Sequence, residues 1–208
     1  ADASPGPARA AGPARSDALL QAARRVDWRF LLDDPSLGHV VYLGAPDEPL
    51  LEGLRLLGAS LTMLPRQGGA GAFDLVVARN PSPAMLAAAV ALLRPGGRLY
   101  VEVDGHLSRQ APSGALPSAP ACAAALRSYP VGVAALHWHW PSFAACTRIV
   151  PLTAAALRYA VGAAGSGAPA ALARALGPLL RPGLVAELAP HVSLVACRQP
   201  SDEEGQRP

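Results

Sequence analysis

Phe73–Ala78 (FDLVVA) and Leu92–Val103 (LLRPGGRLYVEV), two β-rich runs on either side of an Ala-rich stretch, decide the fold of this chain. FDLVVA is apolar at both parities after Asp74, which predicts a strand buried on both faces. Ser82 has the chemistry of an N-cap and Pro83 that of a first helical position, so Met85 to Leu93 propagate a helix. Arg94-Pro95-Gly96-Gly97 ends that helix, and Arg98–Val103 is the next strand. A strand, a helix and a strand joined by short links imply parallel pairing.

The same pattern extends upstream. His39–Leu43 (HVVYL) is a buried strand ending at Gly44, and Leu50, Leu51, Leu54 and Leu57 form one helical face closed by Gly58. Ser60–Leu64 is a second strand, followed by the Gly-rich link Arg66–Ala72. Only eight residues separate Leu64 from Phe73, whereas a parallel crossover through a helix needs about 10–12. Either one strand-helix unit is absent or the two strands pair differently. Before this region, Ser16-Asp17 opens a helix with Leu19, Leu20, Ala23 and Val26, and Trp28, Phe30, Leu31 and Leu32 are expected to fold onto the core. Downstream, a Pro/Ser/Gly/Ala loop over 110–120 precedes a short helix over Ala121–Ser128 and a strand over Val131–Trp140. Helices are expected over Ala154–Ala164 and Ala170–Leu180, and a last strand over His191–Arg198. Residues 1–16 read as a flexible leader, 17–200 as one domain and 201–208 as a polar tail.

Composition narrows the function. Of 208 residues about a fifth are Ala, so a large share of the 51% hydrophobic content is small methyl groups. All 18 basic residues are Arg, and a net charge of +3 scattered along the chain argues against a nucleic-acid partner. No apolar run reaches the ~18 residues of a membrane span, and the N-terminus has no apolar signal core. Cys122, Cys146 and Cys197 are odd in number and widely spaced, which excludes a disulfide framework and suits a cytoplasmic setting.

FDLVVA, a Pro-started helix and LLRPGGRLYVEV, with VVYLGAP upstream and HVSLVACR downstream, resemble class I S-adenosylmethionine-dependent methyltransferases. The resemblance covers residues 37–105 well and 130–198 loosely. It implies an α/β, three-layer Rossmann-like methyltransferase fold: a mostly parallel sheet with an antiparallel last strand, here with one strand-helix unit missing. It also implies S-adenosylmethionine as cofactor, held around Gly44, Ala45, Pro46, Asp47 and Arg79. The chain departs from the family's E/D-x-G-x-G-x-G loop, because Pro46 and Glu48 stand where glycines allow close backbone approach. The second strand ends in Met63-Leu64-Pro65, without the family's ribose-binding acid.

Asp47 and Glu48 open a helix, as a cofactor-loop remnant or as an N-cap with a dipole-complementing acid. Arg79-Asn80-Pro81-Ser82 stands at a strand's carboxyl end and partly resembles the Asn-Pro-Pro-aromatic motif of amino-methylating enzymes, whose Asn and prolyl carbonyl hold a planar amine. That makes Asn80 a catalytic candidate, and a turn before a helix cap explains the same letters. His106, after Glu102 and Asp104, is a candidate general base. In His137-Trp138-His139-Trp140 alternation sends both His to one face and both Trp to the other. No third ligand stands at zinc spacing, so no metal site is assigned. The Trp pair, with Phe143, seals the core or forms a partner patch; the alternative is that the His pair lines a substrate cleft. Arg127, Arg148, Arg158, Arg174 and Arg181 read as solvated. The Ala-rich late helices suit a homodimer interface as well as a core.

Two functions compete: a small-molecule methyltransferase, and a methyltransferase-fold binding or scaffold protein without cofactor, with a protein partner. A nicotinamide-dependent oxidoreductase is disfavoured by the absence of G-x-G-x-x-G after the first strand.

Overall fold

A computed structural model describes residues 13–63, 70–105, 112–162 and 181–199. The strands are β1 (His39–Leu43), β2 (Ser60–Met63), β3 (Phe73–Arg79), β4 (Leu93–Asp104), β5 (Val131–Trp140), β6 (Arg148–Pro151) and β7 (His191–Arg198). They form one sheet in the order β2-β1-β3-β4-β7-β5-β6. β1 pairs in parallel with β2 on one side and β3 on the other, and β3 pairs in parallel with β4. β7 runs antiparallel to both β4 and β5, so β5 points the same way as β4. This is the mostly parallel sheet with an antiparallel last strand that the family resemblance implied. The abbreviated link after β2 does not join neighbours: β1 lies between β2 and β3, and the described part of that link, residues 70–72, is not helical.

The helices are α1 (Pro13–Arg24), α2 (Glu48–Leu57), α3 (Pro83–Leu92), α4 (Ala119–Leu126), α5 (Ala154–Gly162) and α6 (Pro182–Leu188). The sheet divides the core in two. One half places Val26, Trp28 and the α2 leucines Leu50, Leu51 and Leu54 against Val40, Tyr42, Leu75, Val77 and Tyr100. The other sets Leu86, Ala89 and Val90 of α3, Cys122 and Leu126 of α4, and Leu157 of α5 against Val41, Val76, Leu99 and Val101. Strands covered on both faces are apolar at successive positions, which is why HVVYL and FDLVVA do not alternate. Gly53 lets α1 lie close on α2, since a Cβ there would run into the Ala22 carbonyl.

Several local expectations are corrected. α1 starts at Pro13, ahead of Ser16-Asp17. Phe30 does not enter the core; it is 64% exposed, with the Arg29 guanidinium over its ring, while Trp28 and Leu32 are buried. β4 begins at Leu93, and Arg94–Gly97 bulges out of it, because Phe73 pairs Leu93 whereas Leu75 pairs Arg98. Pro95 is tolerated in a central strand because it sits in that bulge. β6 and α6 were not foreseen. The helix expected over Ala170–Leu180 lies outside the described residues, as do His106 and Arg174.

Candidate functional site

The carboxyl ends of β1, β3, β4 and β5 and the amino end of antiparallel β7 meet at one edge of the sheet. Each end delivers polar side chains, and an open α/β sheet binds ligands at this edge. The first element is the turn after β1. Gly44 has φ +138°, and a Cβ there would stand 2.9 Å from the Arg79 carbonyl, so the freedom of this glycine serves close approach to β3. Tyr42 donates its hydroxyl to the Ala45 carbonyl at 2.5 Å, and Pro46 is exposed. Burial pushes the Tyr42 phenol up to about 12.

Asp47 is the hub of the edge. One of its carboxylate oxygens accepts the Leu50 N–H at 3.1 Å and caps α2. The other accepts Arg79 Nη1 at 2.7 Å and Arg25 Nη2 at 3.1 Å. Arg25, immediately after α1, is 4% exposed and also clamps Glu102 with two 2.6 Å bonds. Burial works against its charge, but Glu102 and then Asp47 hold its proton more tightly than in a free guanidinium. Arg79 continues to Asp104 at 3.3 Å.

Asp104 accepts from Asn80 Nδ2 at 2.9 Å and lies 2.9 Å from His191 Nδ1, while its own N–H donates to Asn80 Oδ1 at 2.7 Å. Burial would raise the Asp104 carboxyl, but the bonds from Asn80 and His191 and the Arg79 charge hold it below the usual carboxylate range. Asn80 adopts φ +46°, its N–H donates to the Glu102 carbonyl, and both ends of its side-chain amide are used by Asp104. The Pro81 carbonyl accepts the Leu116 N–H at 2.9 Å. The two groups that would hold an amine in an Asn-Pro motif are thus engaged within the protein.

On the far side of Arg25 lies a second cluster. His137 and His139 share the inner side of β5 and are buried, whereas Trp138 is half-buried and Trp140 half-exposed, as strand alternation requires. His139 Nε2 lies 2.8 Å from Ser193 Oγ and 3.5 Å from Tyr100 Oη, and its Nδ1 is 3.6 Å from Cys146 Sγ. Burial, then the Arg25 charge and the neighbouring His137 and His191, push the His139 imidazole down to about 3. Burial also raises the Cys146 thiol, so the Cys146–His139 contact is neutral near pH 7. Phe143 packs on His139 with ring centroids 4.7 Å apart, and Trp28 stacks on Tyr100 at 3.7 Å and 6°. A pocket of about 140 Å³ opens here, between the Asp27–Leu31 turn and the β5–β6 hairpin.

The structure brings Gly44, Asp47, Arg79, Asn80, Glu102 and Asp104, named from the sequence, to one edge, and sets beside them Arg25, Tyr100, Cys146 and Ser193, which sequence reasoning did not single out. One signal was available for Arg25. Glu102 stands between Val101 and Val103 in a strand buried on both faces, and a carboxylate there requires a cation. Among the described residues no three His, Cys, Asp or Glu stand together as a metal site, and no helix is long and apolar enough to cross a membrane.

No protein-family model and no curated protein matches the chain. Solved structures do. A chain from the complex containing the Haloferax volcanii Trm112 methyltransferase activator is similar over 90% of this chain and 95% of its own, with 14% identity and a TM-score of 0.50. A SAM-dependent methyltransferase from Archaeoglobus fulgidus is similar over 85% and 94%, with 9% identity and a TM-score of 0.47. One from Thermotoga maritima is similar over 87% and 89%, with 13% identity and a TM-score of 0.46. At such identities the likeness speaks for the fold alone, and the fold is the Rossmann-like fold of class I S-adenosylmethionine-dependent methyltransferases.

Proposed function

We propose that this chain is a methyltransferase-fold binding or scaffold protein that does not use S-adenosylmethionine. The observation that carries the reading is Asp47. It is the carboxylate of the loop after β1, and it is committed at once to the cap of α2, to Arg25 and to Arg79. A ligand entering there would have to break partly buried ion pairs, and separating such a pair leaves charges without partners. The donor set therefore does not fit the cofactor. Gly44 faces Arg79, the Ala45 carbonyl is taken by Tyr42, Pro46 and Glu48 add bulk where glycines give access, and β2 ends at Met63 with no acid for a ribose. Asn80, the catalytic candidate within the described residues, is bound at both ends by Asp104.

Small-molecule methyl transfer is the competing reading, and it draws on the fold, which hosts many functions. Calorimetry and thermal-shift measurements with S-adenosylmethionine and S-adenosylhomocysteine separate the two. The expected result is no saturable heat and no rise in Tm at millimolar ligand. Saturable binding in the micromolar range would overturn the proposal and restore methyl transfer.

A further inference from the structure

The pocket between the Asp27–Leu31 turn and the β5–β6 hairpin adjoins the ion-pair chain of Asp47 through Arg25, which lines it, but its other lining residues take no part in that chain. Its volume, about 140 Å³, is close to that of an engineered cavity of ~150 Å³ that binds benzene. Its apolar wall is made by Trp28, Phe143 and Ile149, with Trp28 held flat by its stack on Tyr100. Arg24 and Arg148 line it as exposed cations. Asp27, the carboxylate among the described residues that line the pocket, already faces Arg29 at 3.9 Å.

Two further groups point to a ligand. Trp28 Nε1–H and Arg25 Nε–H are buried and have no hydrogen-bond partner among the described residues, and both side chains line this pocket. A buried donor without an acceptor keeps its full desolvation penalty. Both donors belong to side chains that line the pocket, and no described protein group claims them. The surrounding charge selects an anion, and the aromatic wall selects a planar apolar body.

We propose that this pocket binds a small planar carboxylate, its body against Trp28, Phe143 and Ile149 and its charge among Arg24, Arg148 and the two unpaired N–H groups. A neutral isostere wastes the cations, and a tetrahedral inorganic anion wastes the wall.

Titration calorimetry on the full chain with benzoate, benzyl alcohol and inorganic phosphate tests this. Benzoate is expected to bind at least about tenfold more tightly than either alternative, and Arg148→Ala to weaken it by about tenfold, the worth of one charge-assisted contact. Trp28→Phe keeps the stacking ring and removes the N–H, and it is expected to weaken benzoate as well. Should Trp28→Phe fail to fold, the exposed Arg148→Ala variant decides alone. No saturable heat with benzoate at tens of millimolar would overturn the proposal. So would equal affinity for benzyl alcohol or phosphate, or unchanged binding in Arg148→Ala.

Discussion

Two polar clusters share Arg25 at the carboxyl edge of the sheet, and they differ in what their polar groups have left to offer. Around Asp47, Arg79, Asn80 and Asp104 each charge and amide meets a protein partner at 2.7–3.3 Å. Around Trp28 and Phe143 a pocket remains, and two buried N–H groups beside it have no partner among the described residues. The first cluster makes structure: it ties the end of α1, the start of α2 and the ends of β3 and β4 together. The second has bonds still to make. A ligand that must separate ion pairs loses what the protein had, whereas one that meets unpaired donors does not.

The largest effect is expected from unpairing Arg25, the shared member of the two clusters. Glu102→Ala leaves the buried Arg25 guanidinium with Asp47 as its remaining partner, and should cost about 3 kcal/mol or more in urea unfolding. Replacing both residues with apolar side chains, as in R25M/E102L, should recover most of that loss. A cost under about 1 kcal/mol for the single variant would mean that the pair does not hold the edge together.

The second effect sharpens the contrast by pH. His139 is surrounded by Arg25, His137 and His191, with Ser193, Tyr100 and Cys146 against its ring, and its folded value near 3 lies below the ~6.5 of an unfolded chain. The unfolded state therefore takes up a proton that the folded state refuses. Stability from this group is complete above about pH 6.5 and is lost as pH falls toward 3, with a slope of about 1.4 kcal/mol per pH unit. His139→Gln should make that acid slope shallower in chemical unfolding across pH 4–7 (the approximate titration window). Asp104, held low, adds its own loss only below about pH 4.

The smallest effect concerns the hub. Asp47→Ala removes the α2 cap and two arginine contacts and should cost about 1–2 kcal/mol, and Asp47→Asn, which retains a capping oxygen, less. Thermal unfolding of the two variants side by side measures how much of the closure is capping and how much is charge. Equal losses would assign all of it to charge.

Much of the scaffold was legible because its signals are local. FDLVVA and HVVYL announce strands covered on both faces, Ser82-Pro83 starts a helix, and Gly58 stops one. Where competing signals were short, the reading failed. β6 is four residues with an Arg at one end and a Pro at the other, and α6 is seven residues that open on Pro-Gly. Phe30 went astray for a different reason: the Asp27–Leu31 segment is a 3-10 turn, so which of its aromatics faces inward depends on how α1 docks on the sheet. At the site, residue types told which side chains reach the sheet edge but not which would claim one another.

The order of apolar runs, caps and breakers by itself determined the parallel core, because each strand's period and each helix's ends are written within a few residues. Tertiary structure alone decided that Asp47 faces two arginines, 22 and 32 residues away, and that Glu102 meets Arg25 across 77. Such pairings follow from the sheet order and from the docking of α1, and electrostatic partners distant in the chain leave no periodic trace in the residues between them.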